Sequence, residues 1–276
     1  MRGDRLRTRW FALLSLTAAP LLAAPPTVSF LRPERTVVSP GESVPIRLEA
    51  GAGVDPRSAW PADGVEWLFV RAAGTQANRH DVRPADGDTV LIPITQPGVT
   101  MIGVDQRSVN LDVTAAELLA FADQAGASAV EETLRLVAPE TSLRVRHVAS
   151  AKALVRTASP SPRPSMIATS KAGQAVEIRV HVDPTVMRGG HDVPLVIYVS
   201  GDKRPGLQVR ATAVATGETF SIVTDAGGAG RFRIRSTGSW RLEFHEIVPV
   251  SGDPSIDWAI ATATLTFDVP LQAAPP

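Results

Sequence analysis

The chain has 276 residues, enough for one large domain or two modest ones that each bury a core. Its 28 basic and 28 acidic residues balance to a formal charge of zero, which removes any global field that would recommend nucleic acid or an anionic membrane surface as partner. There is no cysteine, so disulfides, zinc-thiolate sites, thiol nucleophiles and a lipid anchor on cysteine are excluded.

Residues 1–24 read as a signal peptide. Arg2, Arg5, Arg7 and Arg9 precede an apolar run from Trp10 to Leu22 that closes on Ala23-Ala24, and the run is short of the ~20 apolar residues that span a bilayer. Its removal takes four arginines and Asp4 from the totals of 28 and 28 and leaves a mild acidic excess of three. An exported chain without disulfides fits a bacterial periplasm, so a periplasmic protein with no membrane span after cleavage is expected.

Residues 25–113 show short alternating segments cut by turn dipeptides: VPIRLEA after Pro40-Gly41, VEWLFVRA after Asp63-Gly64, DTVLIPI after Asp86-Gly87 and VTMIGVD after Pro97-Gly98. This pattern predicts an N-terminal β-sandwich domain. Residues 114–165 read as a connector. Thr114 and Glu117 form a capping-box pattern ahead of Leu118, Leu119, Phe121, Ala122 and Ala125 at helical spacing, and Gly126 closes the helix. A second helix is expected over Ser128 to Leu136. The stretch LRVRHVASAKALVRT, ending at Thr157, fits either a helix or a strand, with its end the more strand-like. The proline-rich run SPSPRPS, residues 159–165, reads as a spacer beside a domain boundary.

From 166 to 270 alternation returns in seven segments: AVEIRVHV, PLVIYVS, LQVRATAVAT, FSIVT, RFRIRS, WRLEFHEIV and ATATLTFDV. That density predicts an immunoglobulin- or transthyretin-like sandwich. Val176, Ile178, Val180, Phe232 and Ile234 should face inward, and Arg179, Arg231, Arg233 and Arg235 outward. The fold class expected overall is mainly β, with two sandwich-type domains and a short helical connector.

The glycine-rich TDAGGAG, residues 224–230, invites comparison with a phosphate-binding loop. Such a loop needs a helix after its glycines, so that N–H groups and the helix dipole converge on the anion. Here a strand pattern follows and the Lys-Ser/Thr ending is absent, which makes the stretch a turn. Trp240, launched from Gly238, should fill the core, and Trp60, Trp67, Trp240 and Trp258 read as core in preference to a sugar-stacking platform.

Five histidines, His80, His147, His181, His191 and His245, are the natural metal ligands. No His-x-x-x-His helix pair is present. His181 and His191 flank a turn beside Asp183 and Asp192, and His245-Glu246 precedes Asp253 and Asp257, but neighbours on a strand point to opposite faces. No Gly-x-Ser-x-Gly elbow and no singled-out pair of carboxylates recommends hydrolase chemistry, so no enzyme is expected.

The order of these segments, with Thr224-Asp225, Gly238, Trp240, His245, Asp257-Trp258 and Ala263 to Phe267 in the C-terminal third, resembles a bacterial exported family labelled nickel uptake transporter family. The resemblance implies a periplasmic protein of two sandwich-like domains with an accessory role in nickel or cobalt uptake, and His245 matches the family's later histidine. A nickel or cobalt ion and a metal-uptake transporter are the ligand and partner it suggests. The family's mature chain opens on a histidine followed by aromatic residues, whereas Ala24 to Phe30 here carries no histidine. Two functional expectations result. One is a non-catalytic periplasmic binding protein with His245 and His181 or His191 as metal ligands. The other is a structural or interaction module of the cell envelope that binds a protein or glycan.

Overall fold

The computed structural model describes residues 28–51, 57–58, 64–74, 78–80, 89–159 and 163–270, with 57–58 and 78–80 described by backbone alone. The expected signal peptide at 1–24, Trp60 and residues 160–162 of the spacer lie outside the described residues.

The first half contributes β1 (Ser29–Pro33), β2 (Val37–Val38), β3 (Ser43–Ala50), β4 (Arg57–Ser58), β5 (Val65–Arg71), β6 (Asn78–His80), β7 (Thr89–Pro93), β8 (Val99–Gln106) and β9 (Val109–Thr114). Helices α1 (Ala115–Ala125) and α2 (Ser128–Leu134) and the 16-residue strand β10 (Ser142–Thr157) follow. After the spacer come the short α3 (Met166–Thr169), β11 (Val176–Val180), a 3-10 turn (Pro184–Val186), β12 (Asp192–Val199), β13 (Asp202–Lys203), β14 (Gln208–Ala213), β15 (Thr219–Val223), β16 (Ala229–Arg233), β17 (Gly238–Pro249) and β18 (Trp258–Val269). All seven strands expected beyond residue 166 form.

The capping box closes as the sequence implies. Glu117 N donates to Thr114 Oγ1 at 3.2 Å while Thr114 N donates to Glu117 Oε2 at 2.7 Å, and Gly126 ends α1 in the left-handed conformation. Helix α2 stops two residues short of its expected end, because Val137 N bonds back to the Leu134 carbonyl ahead of Pro139. TDAGGAG is a turn: Asp225 Oδ1 accepts from Gly227 N at 2.8 Å and Ala229 N at 3.0 Å, and β16 follows at once. Gly228 sits at φ 70°, where a Cβ would fall 2.8 Å from Arg204 N.

The strands form three sheets. The central one has ten strands, in the order β15-β14-β17-β18-β10-β8-β5-β6, with β2 and β9 also pairing to β10. A front sheet, β1-β3-β4 with β7 on β3, packs over the first half of the central sheet. A back sheet, β11-β12-β13 with β16 on β12, packs over the opposite face of the second half. Two sandwiches are thus present, and one sheet serves both. The join is the parallel pairing of β10 with β18, in register from Val145↔Trp258 to Ala153↔Thr266.

Strand β10 resolves the ambiguity over residues 142–157, since all of that stretch is strand. Its alanines are read as helix-forming by propensity, yet they pack on a pleated surface, and packing overrides propensity. Ala151, Ala153 and Val155 enter the apolar layer beneath the front sheet with Leu31, Ile46 and Ile102. Leu143 and Val145 pack instead under α1, with Phe121, Leu118, Ile260 and Trp258. On the other face the largest apolar layer joins Val176, Ile178, Val180 and Phe232 of the back sheet to Trp240, Phe244 and Phe267 of the central sheet. Trp240 is fully buried and its indole N–H donates to the Ser236 carbonyl at 3.0 Å. Gly103 on β8 is required by contact: a Cβ there would lie 2.1 Å from the Phe69 ring.

The back-facing side chains of β10 brace the spacer-linked segment with buried polar pairs. Ser150 Oγ donates to Asp105 Oδ1 at 2.6 Å, and Gln174 Nε2 donates to the same oxygen at 3.2 Å. Burial raises the Asp105 pKa against those bonds. Lys152 Nζ reaches Glu177 Oε1 at 2.8 Å, with 3% and 0% of the two side chains exposed. Glu177 also accepts from Ala172 N at 2.7 Å and Gly173 N at 3.0 Å. Arg156 donates to Thr185 Oγ1 at 3.0 Å and lies 3.6 Å from Asp183 Oδ2. Removing one member of such a pair strands a buried charge, at a cost of about 3–5 kcal/mol. Lys152→Met should therefore lower the unfolding free energy by about that amount in urea titration. Lys152→Met with Glu177→Gln, which removes both charges and keeps an acceptor for the two amides, should recover most of the loss; equal losses for the single and double variants would refute the pair as the cause.

Candidate functional site

The histidines divide between two layers. His245 on β17 and His147 on β10 flank β18 and point to its helix-covered face, where each is 7% exposed. Both converge on Thr262: His147 Nε2 and His245 Nδ1 each lie 3.1 Å from its Oγ1. Thr262 can donate its one hydroxyl proton to only one ring, so the other ring donates an N–H to it. Phe121 of α1 meets His245 edge-on, with ring centroids 5.1 Å apart at 73°. His147 was among the sequence candidates without a partner; the register of β10 against β18 supplies one.

Both imidazoles are held neutral. Burial lowers the His147 pKa to about 4, and burial, the Arg210 charge and His147 lower that of His245 to about 3. Arg210 itself is turned to Glu243 Oε1 at 3.0 Å, and Glu243 also faces Arg241 Nε at 3.4 Å. Thr262 is 1% exposed, so this hydroxyl between two imidazoles has no approach from solvent for a substrate.

His181 and His191 lie elsewhere, exposed at the ends of β11 and β12 in the back sheet. His191 Nδ1 accepts from Arg188 N at 3.2 Å. The pKa of His181 is lowered by partial burial and by the Arg179 and Lys203 charges. Since the back sheet packs on the opposite face of β17 from His245, the structure does not assemble His245 with His181 or His191 into one site. Their carboxylate neighbours are also engaged. Asp183 caps the 3-10 turn, accepting from Thr185 N at 2.9 Å and Ser165 N at 2.8 Å, and Asp192 lies 3.8 Å from Arg231.

Glu246 points away from His245, as strand alternation requires, and meets Arg204 at 3.1 Å, while burial raises its pKa. Asp257 holds Arg144 through both carboxylate oxygens, at 2.8 and 3.1 Å. Asp253 bonds Ser255 and Arg146, and these hydrogen bonds hold both carboxyls below the usual carboxylate range. Among the described residues no group of three or more His, Asp or Glu side chains is arranged to hold a metal ion, so the residues present do not fit a nickel or cobalt centre built on these ligands. The side chain of His80 lies outside the described residues.

Open grooves are also present among the described residues. One of about 440 Å³ is lined by Arg144, Gly252, Asp253, Pro254 and Asp257, whose charges are already paired. Another, of about 340 Å³, crosses the outer face of the back sheet between His181, Pro194, Val196, Asp225 and Arg231. It is the surface feature that the sequence did not announce, because its lining comes from three strands and a turn.

No protein-family model and no curated protein matches the sequence. Among solved structures, the D0–D1 domain of intimin is similar at a TM-score of 0.22 and 12% identity, covering 88% of this chain and 99% of that one. The FN1–FN3 domains of chicken CNTN1 are similar at a TM-score of 0.19 and 10% identity, covering 89% of this chain and 66% of that one. The mainly β, double-sandwich architecture stands on the chain's own sheets and layers. No helix of the described residues is long and apolar enough to cross a membrane.

The buried histidine pair sets a pH dependence. Because the folded pKa values lie below the ordinary 6.5, the unfolded chain binds protons that the folded chain refuses as pH falls below 6.5, and stability drops until the folded values near 4 and 3 are reached. Between pH 7 and pH 5 each histidine should contribute a loss of about 2 kcal/mol. Urea titrations at the two pH values should show His147→Gln with His245→Gln losing less stability than the native chain, and parallel losses would refute the assignment.

Proposed function

We propose that this protein is a non-catalytic, exported binding module of the cell envelope that presents the outer face of its back sheet to a partner. The observation that supports this reading is the grooved surface across β11, β12 and β16, which is exposed and carried on a braced scaffold. Lys152–Glu177, Arg156–Asp183 and Ser150–Asp105–Gln174 fix the back sheet and its leading segment to β10. Preorganised surfaces lose little freedom on binding, which favours affinity without chemistry. The buried polar groups serve packing: the hydroxyl and imidazoles at Thr262 are closed off by α1, and the acidic groups near Asp253 and Asp257 are held by arginines.

Export follows from the basic-apolar-small pattern of residues 1–24. Cell fractionation of the full-length chain should place it outside the cytoplasm with the leader removed. A photoreactive amino acid at Asp192 or Pro194, on the outer row of β12, should then yield a discrete adduct in living cells, whereas one at Leu91, exposed on the front sheet, should not. A cytoplasmic chain, or no adduct at either back-sheet position, would refute the reading.

A further inference from the structure

Strand register sorts the charges of the back sheet. Val176, Ile178 and Val180 face the core, so Arg179 faces out, and Val196 lies beside it across β12. Tyr198 is next along that outer row of β12, opposite Lys203 and beneath Lys171, whose ammonium stands 4.3 Å from the ring centroid. On β16 Phe232 faces in, so Arg231 and Arg233 face out, opposite Pro194 and Asp192.

The outer pleat therefore carries five cations, Lys171, Arg179, Lys203, Arg231 and Arg233, against the exposed carboxylates of Asp192 and, at the end of the groove, Asp225. Glu177 shares their parity but is buried against Lys152. Asp225 closes one end of the groove with its Oδ1 bonded to two backbone amides. A chain of zero formal charge has thus concentrated positive charge on one face. The lowered pKa of His181, caused by partial burial and then by Arg179 and Lys203, reports the same local field.

We propose that this face binds a linear anionic polysaccharide lying across β11, β12 and β16, a ligand class that rests on the reading of the protein as a binding module. The geometry suits a chain: the groove runs across the strands from His181 over Pro194 to Arg231, and neighbouring strands are about 4.8 Å apart. Arg231 and Arg233 stand roughly 7 Å apart along β16, so both cations flank a chain where it crosses that strand. Arg231 is 68% exposed and its contact with Asp192, at 3.8 Å, is the kind of surface pair that contributes little, so its guanidinium remains available.

An acidic protein would seek a charge-depleted apolar centre on this face. The exposed large apolar side chains, among them Leu91, Leu136, Met166 and Val223, belong to other elements. Single-stranded nucleic acid would need exposed rings for base stacking, whereas Tyr198 is 8% exposed under Lys171.

The test uses the full chain with its leader removed, titrated with heparin oligosaccharides and with polygalacturonate. Uncharged dextran and duplex DNA are the comparators. Both polyanionic sugars should bind at low salt and weaken as salt screens the face, with dextran inert and DNA weaker. Arg231→Ser with Arg233→Ser, both exposed and outside the core, should weaken binding at least tenfold. Arg107→Ser with Arg135→Ser, exposed arginines outside the back sheet, should leave it unchanged. The inference is overturned if neither sugar binds, if dextran or DNA binds equally well, or if the two double variants lose equally. A back-sheet crosslink in cells without polysaccharide binding would retain the module and discard this ligand class; absence of both would discard both.

Discussion

The fold depends on the hydrogen-bonded seam between β10 and β18. A parallel pairing cannot be closed by a tight turn, and here more than a hundred residues separate the partners, including the whole back sheet. Through that seam the strands of the first half and those of the second become one surface, with apolar layers deposited on both sides of it. Each face of β10 serves a different layer. The front face offers small alanines, which let β1 approach closely enough for Thr264 on β18 to donate to the Ser29 carbonyl at 2.8 Å. The back face offers Ser150, Lys152 and Arg156, which satisfy polar groups of the segment that follows the spacer.

Much of this was legible in the sequence. Period-two alternation with inward Val176, Ile178, Val180, Phe232 and Ile234 gave the back-sheet strands, since a half-exposed strand must write its burial into alternate residues. The capping box at Thr114 and the glycine at 126 marked α1, because those groups satisfy local backbone donors and acceptors. Turn chemistry at Asp225 was local as well, and needed no partner from elsewhere.

What was not legible is long-range. Residues 142–157 contain Ala149, Ala151 and Ala153, which have no β preference of their own and become strand through neighbours on both sides. The brief strand β9 and the first strand β1 escaped notice, since neither carries a long alternating pattern. Pairing His147 with His245 required knowing the register of two strands against a third. The groove between His181 and Arg231 likewise joins residues fifty apart, and no spacing rule relates them. The outward arginines were visible as an alternation; that they share a face with Lys171 and Lys203 was not.

The seam also orders the steps by which the chain acquires its shape. Segments such as the α1–α2 pair and the β14–β15 hairpin can close from contacts a few residues apart, within microseconds. Strand β10 can pair early with β8 and β9, but on its other side it has no such recourse: β18 is the last strand of the described fold, and the loop between them must be closed before the two halves share one sheet. A nascent chain that has not yet delivered residues 258–269 therefore holds two incomplete halves with an open edge on β10, the stage at which unwanted strand pairing is most favoured.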